Sequence, residues 1–312
     1  MTSLVGYTGF VGSNIYKSAG DRIKGLYNSK NIADAYDTMP DLLIYAGVRA
    51  EKYLANSDPD ADMGKIRQAE ENIRRISPKR LVLISTIDVY KEPNGADENT
   101  GIDTDDLHAY GYNRYKLEEW VRNNYENALI IRLPGLFGVN IKKNFIYDFI
   151  HVIPSKLKKE KYEELSRDSA LIRDSYTLRD NGFYDFTGNE NAEIKDEFKK
   201  AGFSALNFTD SRGVYQFYDL ARLYDDIKVA LDNDLRLLNI STEPISVSEL
   251  YSELTGGEEF SNEIMSTPPY YDFRSVHCDL YGGHNGYLYG KDKVMQDIVD
   301  FVRKSSNEIS GI

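Results

Sequence analysis

The chain has 312 residues, with 38 Lys and Arg against 50 Asp and Glu, a formal net charge of −12 and a sequence pI near 4.9. That balance argues against a nucleic-acid binder and requires any anionic ligand to be met by local Lys or Arg. Cys278 is the only cysteine, no apolar run is long enough to span a bilayer, and the first predicted strand begins beside Met1 with no room for a signal peptide, so a cytoplasmic protein without membrane contact is expected.

Taken in chain order, a strand at Ser3–Val5 runs straight into Gly6-Tyr7-Thr8-Gly9-Phe10-Val11-Gly12. A strand that turns through Gly-x-x-Gly-x-x-Gly into a helix is suited to a diphosphate. Gly6 allows the tight turn, Gly9 lets the backbone approach the phosphates, and Gly12 lets helix pack on strand. Thr8, Phe10 and Val11 lie in the same turn. A second strand is predicted at Arg22–Leu26, followed by Tyr27-Asn28-Ser29-Lys30. A carboxylate here would bind a ribose 2′-hydroxyl, but no acid occurs before Asp34; Asn28, Ser29 and Lys30 are expected at the cofactor, and Ser29 and Lys30 suit a 2′-phosphate, so NADP is expected over NAD.

The third strand, Leu42–Tyr45, ends in Ala46-Gly47-Val48, small residues past which a cofactor can run. A helix over 62–76 places Met63, Ile66, Ala69, Ile73 and Ile76 on one face. The fourth strand, Leu81–Ile84, ends in Ser85-Thr86-Ile87-Asp88-Val89-Tyr90, and the fifth, Ala128–Arg132, in Leu133-Pro134-Gly135-Leu136. Between them Tyr112 and Lys116 stand four apart on a predicted helix and so share a face. An ammonium one turn away favours the phenolate of a tyrosine, whose ordinary pKa is about 10. The same spacing on a helix turned to solvent would carry no chemistry.

Alternating short apolar strands and helices predict an α/β chain: a doubly wound, Rossmann-type parallel sheet with a smaller, interleaved C-terminal lobe. The expected division is residues 1–139, with a return at about 207–235, and a second lobe over most of 140–312. Residues 140–206 read as a polar helical excursion, with little periodicity between Glu160 and Asp196. Val214–Leu231 reads as a strand or loop and a helix rejoining the first lobe, and Leu237–Leu254 and Lys293–Val302 as further strands and helices. The four histidines are scattered without metal-ligand spacing, and no metal site is expected.

The glycine turn, the strand ending in Ser85-Thr86, the Tyr112-x-x-x-Lys116 pair and the strand with Arg132-Leu133-Pro134-Gly135, in this order, resemble the extended short-chain dehydrogenase/reductase family. The resemblance implies Tyr112 as acid/base, Lys116 as its cation and ribose anchor, and Thr86 bonded to the reacting substrate oxygen. It implies further cofactor contacts at Ser85, Pro134 and Leu136, and substrate contacts at Asp88, Asn144 and Arg212. The implied substrate is a nucleotide sugar, the implied chemistry hydride transfer in an epimerase or reductase, and a homodimer is left open. Ile87 stands where sugar dehydratases of the family carry a carboxylate, which argues against 4,6-dehydration. A non-catalytic NAD(P)-sensing protein and a reductase of a non-nucleotide carbonyl are the alternatives.

Overall fold

A computed structural model describes residues 1–310. They divide into two units: Met1–Asn140 with Val214–Ile245 and Tyr270–Asp297, and Ile141–Gly213 with Ser246–Pro269 and the chain from Ile298. The first unit thus takes back the chain twice, at Val214–Ile245 and at Tyr270–Asp297.

The first unit begins with β1 (Thr2–Val5), α1 (Phe10–Ala19), β2 (Gly25–Tyr27), β3 (Leu42–Tyr45), α2 (Lys52–Ser57), α3 (Pro59–Ile76), β4 (Leu81–Thr86), α4 (Ala109–Asn124), β5 (Leu129–Leu133) and β6 (Gly135–Phe137). The strands expected from the sequence are present, the second displaced, because Gly20–Arg22 forms a 3-10 turn with Arg22 Nε donating to the Ala19 carbonyl at 2.9 Å. Asp58 starts α3, its carboxylate accepting from Ala61 N at 3.0 Å with Pro59 in the first turn, and Ser77 in the left-handed region (φ 52°) stops it.

The second unit carries α5 (Phe145–His151), β7 (Lys156–Leu157), α6 (Lys159–Leu165), α7 (Ala170–Asp174), β8 (Tyr176–Leu178), β9 (Tyr184–Phe186) and α8 (Ala192–Lys200). The chain then returns through β10 (Val214–Tyr215), β11 (Phe217–Asp219), α9 (Leu223–Asp232) and β12 (Leu237–Asn239), and ends in β13 (Ile245–Ser246), α10 (Val247–Thr255) and α11 (Lys291–Ser310).

The six-stranded sheet has the order β12-β5-β4-β3-β1-β2 and its pairs are parallel. Successive strand residues alternate between two cores. Leu4, Ile44, Val82, Leu129 and Ile131 face one side with Ile15 of α1 and Ile227 of α9. Val5, Leu43, Leu83 and Ile130 face the other with Ile66 and Ile73 of α3 and Leu117 and Val121 of α4. Period-2 alternation between two apolar layers is what a doubly wound sheet requires, and it explains why its strands read as uninterrupted apolar runs.

The stretch expected to be a polar helical excursion has a core of its own. Ile153, Leu157, Leu165, Ile172, Tyr176, Ile194 and Phe198 are buried together around a three-stranded sheet, β7-β9-β8, with antiparallel pairing. Its elements are two to nine residues long, too short to show a repeating apolar stripe, and the charged residues between them dominate the composition.

Candidate active site

The glycine turn closes as a cradle. Gly6 has φ +91°, donates to the Tyr27 carbonyl at 2.7 Å, and its carbonyl accepts from Gly9 N at 2.9 Å. A Cβ on Gly6 would overlap the Ala46 backbone, and one on Gly12 would overlap the Gly6 carbonyl, so both positions exclude every side chain. Gly9 is the N-cap of α1 without a side-chain cap, and no acid stands in the first turn. The first turn of α1, Phe10 to Gly12, thus starts beside exposed Thr8 and Gly9 without a side-chain cap, an arrangement suited to an anion. Asn14 fixes the helix from behind: its amide donates to the Phe10 and Val139 carbonyls, both at 2.8 Å, and accepts from Val139 N.

The expected cofactor residues at the other strand ends divide into lining and structural ones. Ser29 and Lys30 are exposed after β2, while the Asn28 side chain is taken up locally, accepting from Lys30 N at 2.9 Å. Ala46 and Val48 are half-buried and Gly47 exposed at the end of β3, and Pro134 and Leu136 are half-buried around the β5–β6 turn. Ser85 is buried, with its hydroxyl donating to Glu118 Oε1 at 2.6 Å.

Along α4 the buried residues are Tyr110, Gly111, Asn113, Arg114, Leu117, Glu118 and Val121. Tyr112 and Lys116 lie two residues on from Tyr110 and Arg114, about 200° round the helix, and share the outer stripe with Glu119. Lys116 Nζ pairs with Glu119 Oε2 at 2.7 Å, which holds its ammonium above the ordinary lysine value, and stands 5.2 Å from the Tyr112 ring centre. Tyr112 and Lys116, expected as the acid/base pair, are thus half-buried and off the fully buried face of α4 that carries Tyr110 and Arg114.

Tyr110 meets Thr86 instead. Its hydroxyl has the Thr86 side chain as a hydrogen-bonding partner; burial pushes the phenol above the ordinary tyrosine value, Arg114 opposes that shift and Asp88 adds to it. The Arg114 guanidinium carbon lies 4.0 Å from the Tyr110 ring centre. It is pinned by Asp62 of α3, with which it forms a buried ion pair, and by the Arg49 carbonyl at 2.7 Å. Asn113 donates to the same Asp62 oxygen at 2.9 Å and to the Pro59 carbonyl at 3.1 Å.

Below the site, Glu118 is fully buried and takes Ser85, both Nε and Nη2 of Arg132 (3.0 and 2.6 Å) and Arg122. Arg132 also donates to the Tyr90 hydroxyl at 2.7 Å, which reaches Asn239 of β12. This network registers α4 on β4 and β5 and so fixes Tyr110 against Thr86. Beside the site, the Asp88 carboxylate takes Lys52 Nζ at 2.8 Å, and its backbone carbonyl is so close to Gly111 that no Cβ fits there. His108 Nδ1 accepts from Gly111 N at 3.0 Å and caps α4. The half-buried Tyr271, stacked on Tyr215 with ring centres 5.9 Å apart, feels both Asp88 and Lys52.

The two expected substrate contacts Asn144 and Arg212 belong to the second unit. Asn144 caps α5, accepting from Ile146 N and Tyr147 N at 3.0 and 3.2 Å. Arg212 holds Asp210 through two bonds of 3.0 and 2.8 Å and pairs with Glu263 at 2.9 Å. Tyr110, Arg114, Asp62 and Lys52 did not stand out in the sequence. The available signal was Tyr110-Gly111 with Glu118 eight residues on, a stripe with period near 3.6 through 110, 114, 117, 118 and 121 that overlaps the more conspicuous Tyr112-x-x-x-Lys116.

No protein-family model matches the chain, and no curated protein is similar to it in sequence. Solved structures do match in fold. A dTDP-4-dehydrorhamnose reductase from Clostridium acetobutylicum shares 13% identity with a TM-score of 0.63, over 97% of this chain and 100% of that one. The dTDP-4-dehydrorhamnose reductase of Bacillus anthracis, in complex with NADP, shares 14% with a TM-score of 0.61, over 97% of each. UDP-glucose 4-epimerase from Thermotoga maritima, with UDP-glucose, shares 14% with a TM-score of 0.59, over 98% and 99%.

Proposed function

We propose that this chain, which has the fold of the extended short-chain dehydrogenase/reductases, is an NAD(P)-dependent oxidoreductase acting on a nucleotide sugar. One observation carries the reading: the Thr86 and Tyr110 hydroxyls meet at the carboxyl end of β4, in the same unit as an uncapped helix N-terminus behind three glycines. Ligands of open parallel sheets bind at that end of the strands. The glycine cradle fits a dinucleotide diphosphate, because a side chain at Gly6 or Gly12 would fill it and the first turn of α1 is free of acids. Such a cofactor supplies or accepts the hydride. The chain's own residues do the rest. Thr86 orients the reacting oxygen by a hydrogen bond, and Tyr110 exchanges a proton with that oxygen. The nucleotide sugar follows from the fold relatives, which are reductases and epimerases of such compounds. Elimination of water is left out, because Ile87 is buried and carries no acid.

Arg114 favours a second reading. A guanidinium already bound to Asp62 replaces a mobile ammonium beside the tyrosine, as would suit a protein that binds NAD(P) without turning it over. Calorimetric titration with NADPH, followed by absorbance of NADPH with dTDP-4-dehydrorhamnose, separates the two. Binding with consumption supports the enzyme, binding alone the sensor, and no binding defeats both.

A further inference from the structure

We propose that Lys52 and Tyr271, together with Asp88, are the residues that select the sugar: the Lys52–Asp88 ion pair takes two neighbouring hydroxyls of the ring, and Tyr271 supplies apolar surface and a further hydroxyl beside them. The specificity that follows is for a hexose with both hydroxyls in place next to the reacting carbon. The inference rests on the reading above and names the groups that would choose its substrate.

Three separate segments of the first unit bring these residues together. Lys52 opens α2, Asp88 lies in the turn after β4, and Tyr271 stands in the second stretch of chain that returns to the unit. Asp88 N donates to the Thr86 hydroxyl at 3.2 Å, which keeps its carboxylate within one short turn of the oxygen that Tyr110 meets. Lys52 Nζ joins Asp88 Oδ1 at 2.8 Å, and the two side chains stay partly open, 40% and 21% exposed. An ammonium carries three donors, and a carboxylate accepts at about four lone-pair sites. Among the described residues the pair spends one bond on itself, which leaves donors on Lys52 and the whole of Asp88 Oδ2 for a ligand. The Tyr271 hydroxyl has no hydrogen-bonding partner among them either, although its phenol feels both charges.

Tyr271 is held in place from several sides. Its N–H donates to the Val214 carbonyl at 3.1 Å, and its ring stacks on Tyr215 with an interplanar angle of 22°. Two residues on, the buried Gln216 side chain grips both main-chain groups of Phe273: Nε2 donates to the carbonyl and Oε1 accepts from N, each at 2.9 Å. The Tyr271 ring packs against the cluster of Ile87, Val89 and Tyr90, which brackets Asp88 in the chain. Fixed apolar surface with a few convergent polar groups is what orients a small ligand. A lone ammonium would favour a carboxylate. An ion pair has no net charge and sets a donor beside an acceptor, which matches adjacent hydroxyls. Removing one of those hydroxyls leaves a polar group of the site unpaired, which is why such sites reject the analogue that lacks it.

Calorimetric titration of the full chain saturated with NADP tests the subsite. The probes are UDP-glucose, its 3-deoxy analogue, UDP-glucuronate and UDP, with dTDP-glucose and dTDP as a parallel series. In at least one series the glucose compound should bind roughly tenfold or more tighter than the bare diphosphate, and the 3-deoxy analogue should lose that gain. Lys52→Met and Tyr271→Phe are mild changes at half-buried positions. Each should cost the glucose compound roughly tenfold while the affinities for the bare diphosphate and for NADP, and the melting temperature, stay at wild-type values. Unchanged glucose affinity in both variants overturns the proposal, as does a 3-deoxy analogue that binds as well as UDP-glucose. Tighter binding of UDP-glucuronate would mean that Lys52 receives a carboxylate, and a fall in NADP affinity would put the residue at the cofactor; either result overturns it too. NADP binding with no gain from glucose in either series overturns the subsite and leaves the oxidoreductase reading standing, whereas absence of NADP binding defeats that reading and the subsite with it.

Discussion

Tyr110 and Tyr112 stand two residues apart on α4 and lie on opposite sides of it, the first buried against Thr86, the second on the outer stripe with Lys116 and Glu119. Removing each hydroxyl in turn therefore separates the two helix faces. Tyr110→Phe keeps the ring that stacks on Arg114 and removes only the hydroxyl, so turnover should fall by roughly a hundredfold or more with NADPH binding retained. Tyr112→Phe should stay within a few-fold of wild type. A loss at Tyr112 with Tyr110→Phe fully active would return the acid/base role to the outer face.

The buried carboxylate under the site makes a stability prediction. Glu118 is fully buried and accepts from Ser85, Arg122 and Arg132. Glu118→Ala leaves the Arg132 guanidinium without its partner, which costs about 3–5 kcal/mol for a buried pair. Arg132→Met together with Glu118→Leu removes both charges and should recover much of that loss. Urea unfolding of the two variants beside wild type checks it; Glu118→Ala as stable as wild type would mean the network is dispensable.

These residues mark how far the sequence could be read. Strands β1, β3, β4 and β5 and helix α3 were legible because each is a short apolar run or a clean one-face stripe. The cradle was legible because Gly6 and Gly12 occupy positions that no other residue can fill. The buried face of α4 was not. A Tyr-x-x-x-Lys motif specifies a spacing but no phase, and what sets the phase is the burial of Glu118 against Ser85 and Arg132, contacts made between residues 14 and 33 positions apart. The second unit was illegible for another reason: its core is assembled from single residues of very short elements.

The glycines make a paired prediction. Gly12→Ala places a methyl on the Gly6 carbonyl, backbone against backbone, so neither side can move aside cheaply. Cofactor binding should be lost and the first unit destabilised. Gly64, in the interior of α3 with open space around it, is the control. Gly64→Ala should stabilise by about 0.5–1 kcal/mol through helix propensity alone, read as a raised melting temperature.

Cofactor choice rests on the tail of β2. Ser29 and Lys30 are exposed there, and the Asn28 side chain is folded back onto Lys30 N. One charge-assisted hydrogen bond from Lys30 to a 2′-phosphate contributes about 1.5–3 kcal/mol, so NADP should bind roughly tenfold or more tighter than NAD. Lys30→Asp removes the attraction and adds repulsion, and the preference should reverse. Equal affinities in calorimetric titrations of wild type would show that Lys30 stays in solvent.

His108 gives the pH dependence. Its Nδ1 accepts from Gly111 N and so caps the turn that carries Tyr110. Burial, with Lys52 adding to it and Asp88 opposing, lowers its pKa from the ordinary 6.5. A group whose folded pKa is depressed binds fewer protons in the folded state than in the unfolded one. Its contribution is therefore fully present above the unfolded value of 6.5 and is lost as pH falls through the lower folded value. Protonation of Nδ1 also turns the acceptor into a donor and breaks the cap, so the first turn of α4 frays and Tyr110 leaves Thr86. Activity with NADPH should fall on the acid side together with the urea midpoint. His108→Asn keeps an acceptor at the cap and carries no titrating group, so it should retain activity at neutral pH and flatten the acid limb of both profiles. An unchanged acid limb in His108→Asn would assign the loss to another group.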